Sequence, residues 1–178
     1  MKSHIDLDIK NELVFGIENI SAVAIDQLAQ LIAVHKNNNI ICIGAGRMGF
    51  SIRAFAMRLS HLGLSAYFLG DTNVPRLAEG DLVLFNTSSG ETGSLIYYSN
   101  VVSEAGVEVC AITSNPESTL AKAANHCVLL PKLDSSVQLM KTFSEQISWI
   151  FFDLTSHRLI SLLDLSVADV ENNHSILE

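Results

Sequence analysis

The chain has 178 residues, 48% of them hydrophobic and 17% charged, with 11 Lys and Arg against 19 Asp and Glu for a formal net charge of −8. That length supports one domain with a sizeable core, and that composition excludes a disordered chain. The acidic balance argues against nucleic acid as a partner, although a local nest of N–H groups can bind a small anion inside an acidic protein.

Two helices are predicted between about Asp6 and Lys36. Leu13, Val14, Ile17 and Ile20 recur at helical spacing in the first. Ser21 can cap the second, whose apolar face includes Ile25, Leu28, Leu31, Ile32 and Val34. Asn37, Asn38 and Asn39 end it. Ile40–Ile43 reads as a buried strand. Gly44-Ala45-Gly46-Arg47-Met48-Gly49 follows and opens a helix from Met48 to Leu62 that buries Ile52, Phe55, Ala56 and Leu59 and stops at Gly63. Strands are predicted at Ala66–Leu69 and Asp81–Phe85. A helix follows over Leu95–Ala105, then a strand over Val107–Thr113. Asn115 suits an N-cap with Pro116 at the first helical position, and Glu117–Ala124 is a short helix. Cys127–Leu130 is a fifth strand, Pro131 breaks the chain, and a long helix runs from Ser135 to Leu163 with Ile147, Ile150, Phe151, Leu154 and Leu159 on its apolar side. The tail SVADVENNHSILE is polar and expected to fray.

Strands alternating with helices imply a parallel sheet with right-handed crossovers. The expected fold class is α/β, a three-layer α/β/α sandwich on a five-stranded parallel sheet of flavodoxin-like order 2-1-3-4-5. One domain is expected over 1–178: a helical arm over 1–38, the α/β core and closing helix over 39–165, and the polar tail over 166–178. In that strand order the first and third strands are neighbours, and the crevice at their carboxyl ends is where ligands bind. The loops Gly44–Gly49 and Thr87–Thr92 would meet there.

The second of these loops lies in FNTSSGETGSL. Four hydroxyls, Thr87, Ser88, Ser89 and Thr92, surround Gly90 where a strand feeds a helix. Free N–H groups and the helix dipole favour an anion at such a place, and phosphate is the natural candidate. A plainer reading exists, since Ser, Thr and Gly are common turn residues and Ser88 or Ser89 could simply cap the helix. GAGRMG matches the dinucleotide fingerprint G-x-G-x-x-G, with Asp71 near the place of a ribose-binding carboxylate. The helical pair ahead of the first strand and the hydroxyl-rich third loop both argue against a nicotinamide site, and a tight structural turn is the third reading.

Cys42, Cys110 and Cys127 sit in apolar strand-like runs, form no C-x-x-C pair and cannot all pair because their number is odd. They read as buried free thiols of a reducing cytosol, so a cytoplasmic location is expected. The opening MKSHIDLDIKNE is polar and acidic, unlike a signal peptide, and no apolar run approaches the roughly 20 residues of a membrane span, so no membrane partner is expected. His4, His35, His126, His157 and His174 show no metal-ligand spacing.

GAGRMGFSIRAFAMRLSHLG, NTSSGET, AITSNPESTLAKAA and TFSEQISWIFFDL together resemble the sugar isomerase (SIS) domain family, and within it the 6-phospho-3-hexuloisomerase branch. The similarity runs from about Ile40 to Asp153. The resemblance implies conversion of a hex-3-ulose 6-phosphate to fructose 6-phosphate through an enediol, with no metal or organic cofactor. It implies that Thr87, Ser88, Ser89 and Thr92 grip the phosphate and that Gly46 and Arg47 line the sugar site. It also implies that Glu145 is the general base and that His61 is catalytic, in its own or a neighbouring subunit's site. It further implies a homo-oligomer, tetramer or dimer, with a phosphorylated sugar as its partner. The chain departs from the family pattern at Met48, where a hydroxyl residue is usual. It departs again at Ser88-Ser89-Gly90, for Gly-Ser-Gly, and at Lys141, for a small residue. Two rivals are a non-catalytic sugar-phosphate sensor and a SIS isomerase for another sugar phosphate, such as arabinose 5-phosphate.

Overall fold

The structure, a computed structural model, describes residues 4–174. Its five strands are β1 (Ile40–Gly44), β2 (Ala66–Phe68), β3 (Leu82–Asn86), β4 (Glu108–Thr113) and β5 (His126–Leu129). All pair in parallel, in the order β2-β1-β3-β4-β5. The helices are α1 (Ile5–Glu18), α2 (Ala22–Val34), α3 (Gly46–His61), α4 (Gly93–Glu104), α5 (Thr119–Ala123), α6 (Thr142–Leu162) and α7 (Val167–Asn172). The expected sheet and strand order are present.

The strands are apolar on both faces because both faces are covered. Successive side chains point to opposite sides. Ile40, Cys42, Leu82, Leu84, Cys110 and Ile112 pack with α2, α3 and α6 on one side. Ile41, Ile43, Val83, Phe85, Val109 and Ala111 pack with α4 and α5 on the other. The α3–α6 contact is sealed by Phe55 stacked on Phe152 at 4.5 Å.

Several local expectations need correction. α3 begins at Gly46, not Met48, so a single residue, Ala45, separates it from β1. The short helix is capped by Ser118, whose Oγ accepts the Ala121 N–H at 3.2 Å, and not by Asn115; the Asn115 carboxamide instead accepts the Glu117 N–H at 3.2 Å as a turn. The long helix begins at Thr142, not Ser135, leaving residues 131–141 as an irregular segment. The start of the tail does not fray: Ser166 Oγ accepts the Asp169 N–H while Asp169 Oδ2 accepts the Ser166 N–H at 2.8 Å, a capping box that nucleates α7. Residues 175–178 of that tail, like 1–3 of the arm, lie outside the described residues.

The arm also differs from its expected form. Ser21 caps α2 as expected, but Val34 is exposed. On α1, Val14 and Ile17 are exposed, and the one buried residue is Gly16. A Cβ there would stand 2.3 Å from Ile147 Cδ1 and 2.8 Å from the Phe143 ring. Glycine thus lets α1 lie directly on the start of α6. Cys42 and Cys110 are buried free thiols as expected, and burial pushes both well above the ordinary thiol pKa, whereas Cys127 on the edge strand is only half-buried. Among the described residues no single helix is long and apolar enough to cross a membrane.

Candidate active site

The register aligns Gly44 with Asn86, so the turns after β1 and β3 leave the sheet side by side. The first is closed on itself. A Cβ on Gly49 would stand 2.7 Å from the Gly44 carbonyl, and one on Gly44 would meet Gly49 Cα at 2.9 Å. Gly46 turns the chain at φ +56°. Met48 is buried, 7% exposed, and its carbonyl accepts hydrogen bonds from Ser51 Oγ at 2.9 Å and Asn86 Nδ2 at 3.0 Å. Met48 is therefore part of the interior and fills no sugar pocket. Asp71, the candidate ribose carboxylate, pairs with Arg53 at 3.0 Å and accepts the Phe68 N–H at 3.3 Å. It closes a turn.

The second turn presents hydroxyls. Ser88 Oγ lies 2.8 Å from Ser144 Oγ and 3.3 Å from Ser114 Oγ, joining the ends of β3, β4 and the first turn of α6. The Ser88 carbonyl accepts from Thr113 Oγ1 and Ser114 Oγ, and the Ser89 carbonyl accepts from Asn115 Nδ2. The end of β4 thus clamps the loop from beneath. Ser88 and Ser89 line a cavity of about 290 Å³ with Ser114, Asn115, Lys132 and Lys141. Thr92 is the N-cap of α4, makes no side-chain cap bond, and does not line that cavity. Thr87 behaves differently: it is 3% exposed, and its Oγ1 accepts the Gly90 N–H at 3.2 Å. It shapes the loop from inside. Gly90 has φ +68°, and a Cβ would fall 2.1 Å from Ser118 Oγ. Glu91 reaches away to cap α5, accepting the Thr119 N–H and Oγ1–H at 2.8 Å each.

Ser144 and Glu145 are consecutive on α6 but face different cavities. Glu145 lines one of about 500 Å³ with Arg47, Phe50, Gln146, Trp149 and, from α1, Leu13. Its carboxylate stands 2.6 Å from Arg47 Nε. The contact is an ion pair without hydrogen-bond alignment, for Glu145 Oε2 has no hydrogen-bond partner among the described residues. Glu145 is largely buried while Arg47 is 67% exposed, so the arginine can leave without unfolding anything. The resemblance places these two residues at one site, and the structure brings them into contact.

His61 is not brought there. It ends α3, 14 residues beyond Arg47, or about 21 Å at the helical rise. It is buried, its ring 4.8 Å from that of His174, and its carbonyl accepts from Asn173 Nδ2 at 3.1 Å. The C-terminal segment lies over it. Within one chain His61 and Glu145 cannot reach the same small substrate.

Other residues emerge only in three dimensions. Asn86, fully buried, donates through Nδ2 to the Met48 carbonyl and to Ser51 Oγ at 2.9 Å; Ser51 meets Ser148 at 2.9 Å; Ser148 donates to the Glu145 carbonyl at 2.9 Å. This knot locks the turn carrying Arg47 to the helix carrying Glu145. Ser114 and Asn115 were the most legible of the missed residues, because a Thr-Ser-Asn run ends the neighbouring strand just as Thr-Ser-Ser follows β3. Among the described residues no cluster of His, Cys, Asp and Glu could hold a metal.

Known proteins share this fold. The family model of the SIS domain matches residues 33–152. A Bacillus subtilis protein named 3-hexulose-6-phosphate isomerase is 36% identical, the match covering 96% of each chain. A Mycobacterium gastri protein of the same name is 30% identical over 78% of this chain and 73% of its own. A crystal structure from Methanococcus jannaschii, for which the function of 3-hexulose-6-phosphate isomerase was inferred, superposes with a TM-score of 0.83 at 26% identity, covering 96% of this chain and 97% of its own.

Proposed function

The chain belongs to the SIS domain family, and from that premise we propose that it is a sugar-phosphate ketose isomerase that converts a hex-3-ulose 6-phosphate to fructose 6-phosphate. The observation that carries this reading is the placement of Glu145 beside, but not inside, the hydroxyl cavity. In the substrate, C4, C5 and C6 separate the reacting carbons from the phosphate ester. A base on α6 and an anion grip in the adjoining cavity, which the preceding residue Ser144 also lines, suit that spacing.

The reaction moves a carbonyl from C3 to C2. Glu145 takes the proton from C2 while the C3 oxygen gains one, giving the cis-2,3-enediol. The O2 proton then leaves, and the carboxylic acid returns its proton to C3. One carboxylate thus serves both half-steps, and no electrons leave the substrate. Arg47, released from Glu145, stabilises the oxygen on which charge develops. Because its sixth oxygen carries the phosphate, a 3-ketose cannot close a five-membered ring through it, so the forward substrate arrives open-chain. Ser88, Ser89 and Thr92 grip the phosphate, and Thr87 holds their loop in shape. Phosphate binding remote from the reacting carbons supplies orientation.

The assembly we propose is a homo-oligomer in the cytoplasm. Phe50, Met57, Trp149 and Leu154 are exposed along α3 and α6, and Val14, Phe15 and Ile17 along α1, an apolar face that supports a partner copy. His61 takes part in catalysis only from a neighbouring subunit, given its distance from Glu145. A coupled assay for fructose 6-phosphate formation from the 3-ketose, run beside other sugar phosphates, tests the reading. Turnover of the 3-ketose supports it. Turnover of arabinose 5-phosphate alone, or binding of sugar phosphates without turnover, overturns it in favour of a different isomerase or a sensor.

A further inference from the structure

The segment between β5 and α6, expected to be largely helical, is instead a strap over the hydroxyl cavity. Glu12 of α1 holds it: the carboxylate accepts from Ser136 Oγ at 2.7 Å, the Val137 N–H at 2.7 Å and Gln138 Nε2 at 3.0 Å. The strap carries Lys132 and ends in Lys141, and both line the cavity that Ser88 and Ser89 open into.

Two features of this strap are unfavourable by themselves. Lys141 occupies the N-cap of α6 and makes no side-chain cap bond. Ser, Thr, Asp or Asn is preferred there, and a cation at the positive end of a 21-residue helix is repelled by its dipole. Met140, just before it, has φ +54° and is 94% exposed, a left-handed conformation that a non-glycine residue seldom adopts on a surface. Such departures persist where they serve a site. An anion in the cavity would offset the first, because it would meet Lys132, Lys141, the N–H groups at the start of α6 and the serine hydroxyls together.

We propose that Lys132 and Lys141 form the cationic roof of the phosphate site, with Glu12 as the residue that positions them. This rests on the reading of Ser88 and Ser89 as the phosphate grip and completes it: the hydroxyls recognise the ester from below and the two lysines select its dianionic charge from above. Asp134 lines the same cavity and opposes them.

Fructose 6-phosphate binding by calorimetry at two salt concentrations, beside steady-state kinetics, tests the roof. Lys141→Gln and Lys132→Gln are each expected to weaken binding about five- to tenfold and to flatten its salt dependence, with KM rising more than kcat falls. Lys141→Arg is expected to restore most of the affinity, and Asp134→Asn to tighten it. Glu12→Gln and Ser136→Ala, two independent cuts of the strap, are expected to weaken binding about threefold, with a thermal melt recording any loss of folding. If Ser89→Ala weakens binding but both lysine variants bind like the parent, the roof is overturned and the grip stands. If Ser89→Ala also binds unchanged, the grip falls as well. A kcat loss in Lys141→Gln at constant KM would overturn the proposal too, because it would place the lysine in the chemistry.

Discussion

The turns after β1 and β3 are written in a similar vocabulary of glycine and small polar residues, start at the same height on neighbouring strands, and do opposite things. Gly44–Gly49 is folded tightly upon itself, with backbone where side chains would be and Met48 turned inward. Of its side chains it offers the outside the Arg47 guanidinium. Thr87–Thr92 spends Thr87 and Gly90 on its own shape and offers Ser88, Ser89 and Thr92. A glycine-rich turn is thus not by itself an anion site. What decides is whether its N–H groups and hydroxyls are consumed by the turn or left over. In the function proposed above, the first turn serves the reacting end of the substrate and the second its anchor.

The largest effect should come from the reacting end. Glu145→Gln is expected to lower kcat about 10²–10⁴-fold while fructose 6-phosphate still binds; turnover near that of the parent would remove Glu145 from the base role. The next test breaks the tight turn. Gly49→Ala drives a Cβ onto the Gly44 carbonyl and should cost about 3 kcal/mol or more in urea unfolding. Gly46→Ala meets open space and a positive φ, and should cost about 1–2 kcal/mol. Equal costs would show that the turn is not closed as described. The anchor side should respond in binding. Ser88→Ala with Ser89→Ala is expected to raise KM about tenfold with a smaller change in kcat. Thr87→Ala should instead cost about 1 kcal/mol of stability through the lost Gly90 contact, read by the same unfolding experiment.

The smallest effect belongs to the opposite, amino-terminal ends of the strands and serves as a control for both turns. There Glu108 receives a short hydrogen bond from His126 and pairs with His35 Nε2 at 2.8 Å. The His126 hydrogen bond, ahead of a desolvation that opposes it and of the charge of His35, holds the Glu108 carboxyl below its ordinary value of 4.5. A depressed carboxyl stabilises the fold above its unfolded pKa, and the gain disappears as pH falls through the folded one. The parent should therefore out-melt Glu108→Gln above pH 4.5, and the gap should close at lower pH, with KM and kcat unchanged at neutral pH. A gap independent of pH would remove the ionised carboxylate from the account.

The sheet was legible because its signals are local. Runs such as Ile40–Ile43 and Val107–Thr113, separated by helical periodicity, specify parallel strands, and strand order then brings two remote loops together by topology alone. Element ends were less legible. The residues from Ser135 to Lys141 have the polarity of a helix start, and only their contact with Glu12 on α1 shows why they remain outside the helix. Ser166 and Asp169 form a capping box inside a tail whose polarity suggests fraying. The arm has the pattern of an appendage, yet its Leu13 walls the Glu145 cavity and its Glu12 ties down the strap.

The amino-acid sequence by itself determined the α/β class, the five-stranded order and the hydroxyl loop at the switch point, because each follows from periodicity or turn chemistry that can be read in place; Glu145 became a candidate base only through the family resemblance. Only the tertiary structure decided that Arg47 reaches Glu145, that His61 does not, that Met48 and Thr87 face inward, and that Lys132 and Lys141 share one cavity with Ser88 and Ser89. Those outcomes depend on which surfaces meet across the chain. Packing settles that through contacts between residues dozens to more than a hundred positions apart, which no local pattern records.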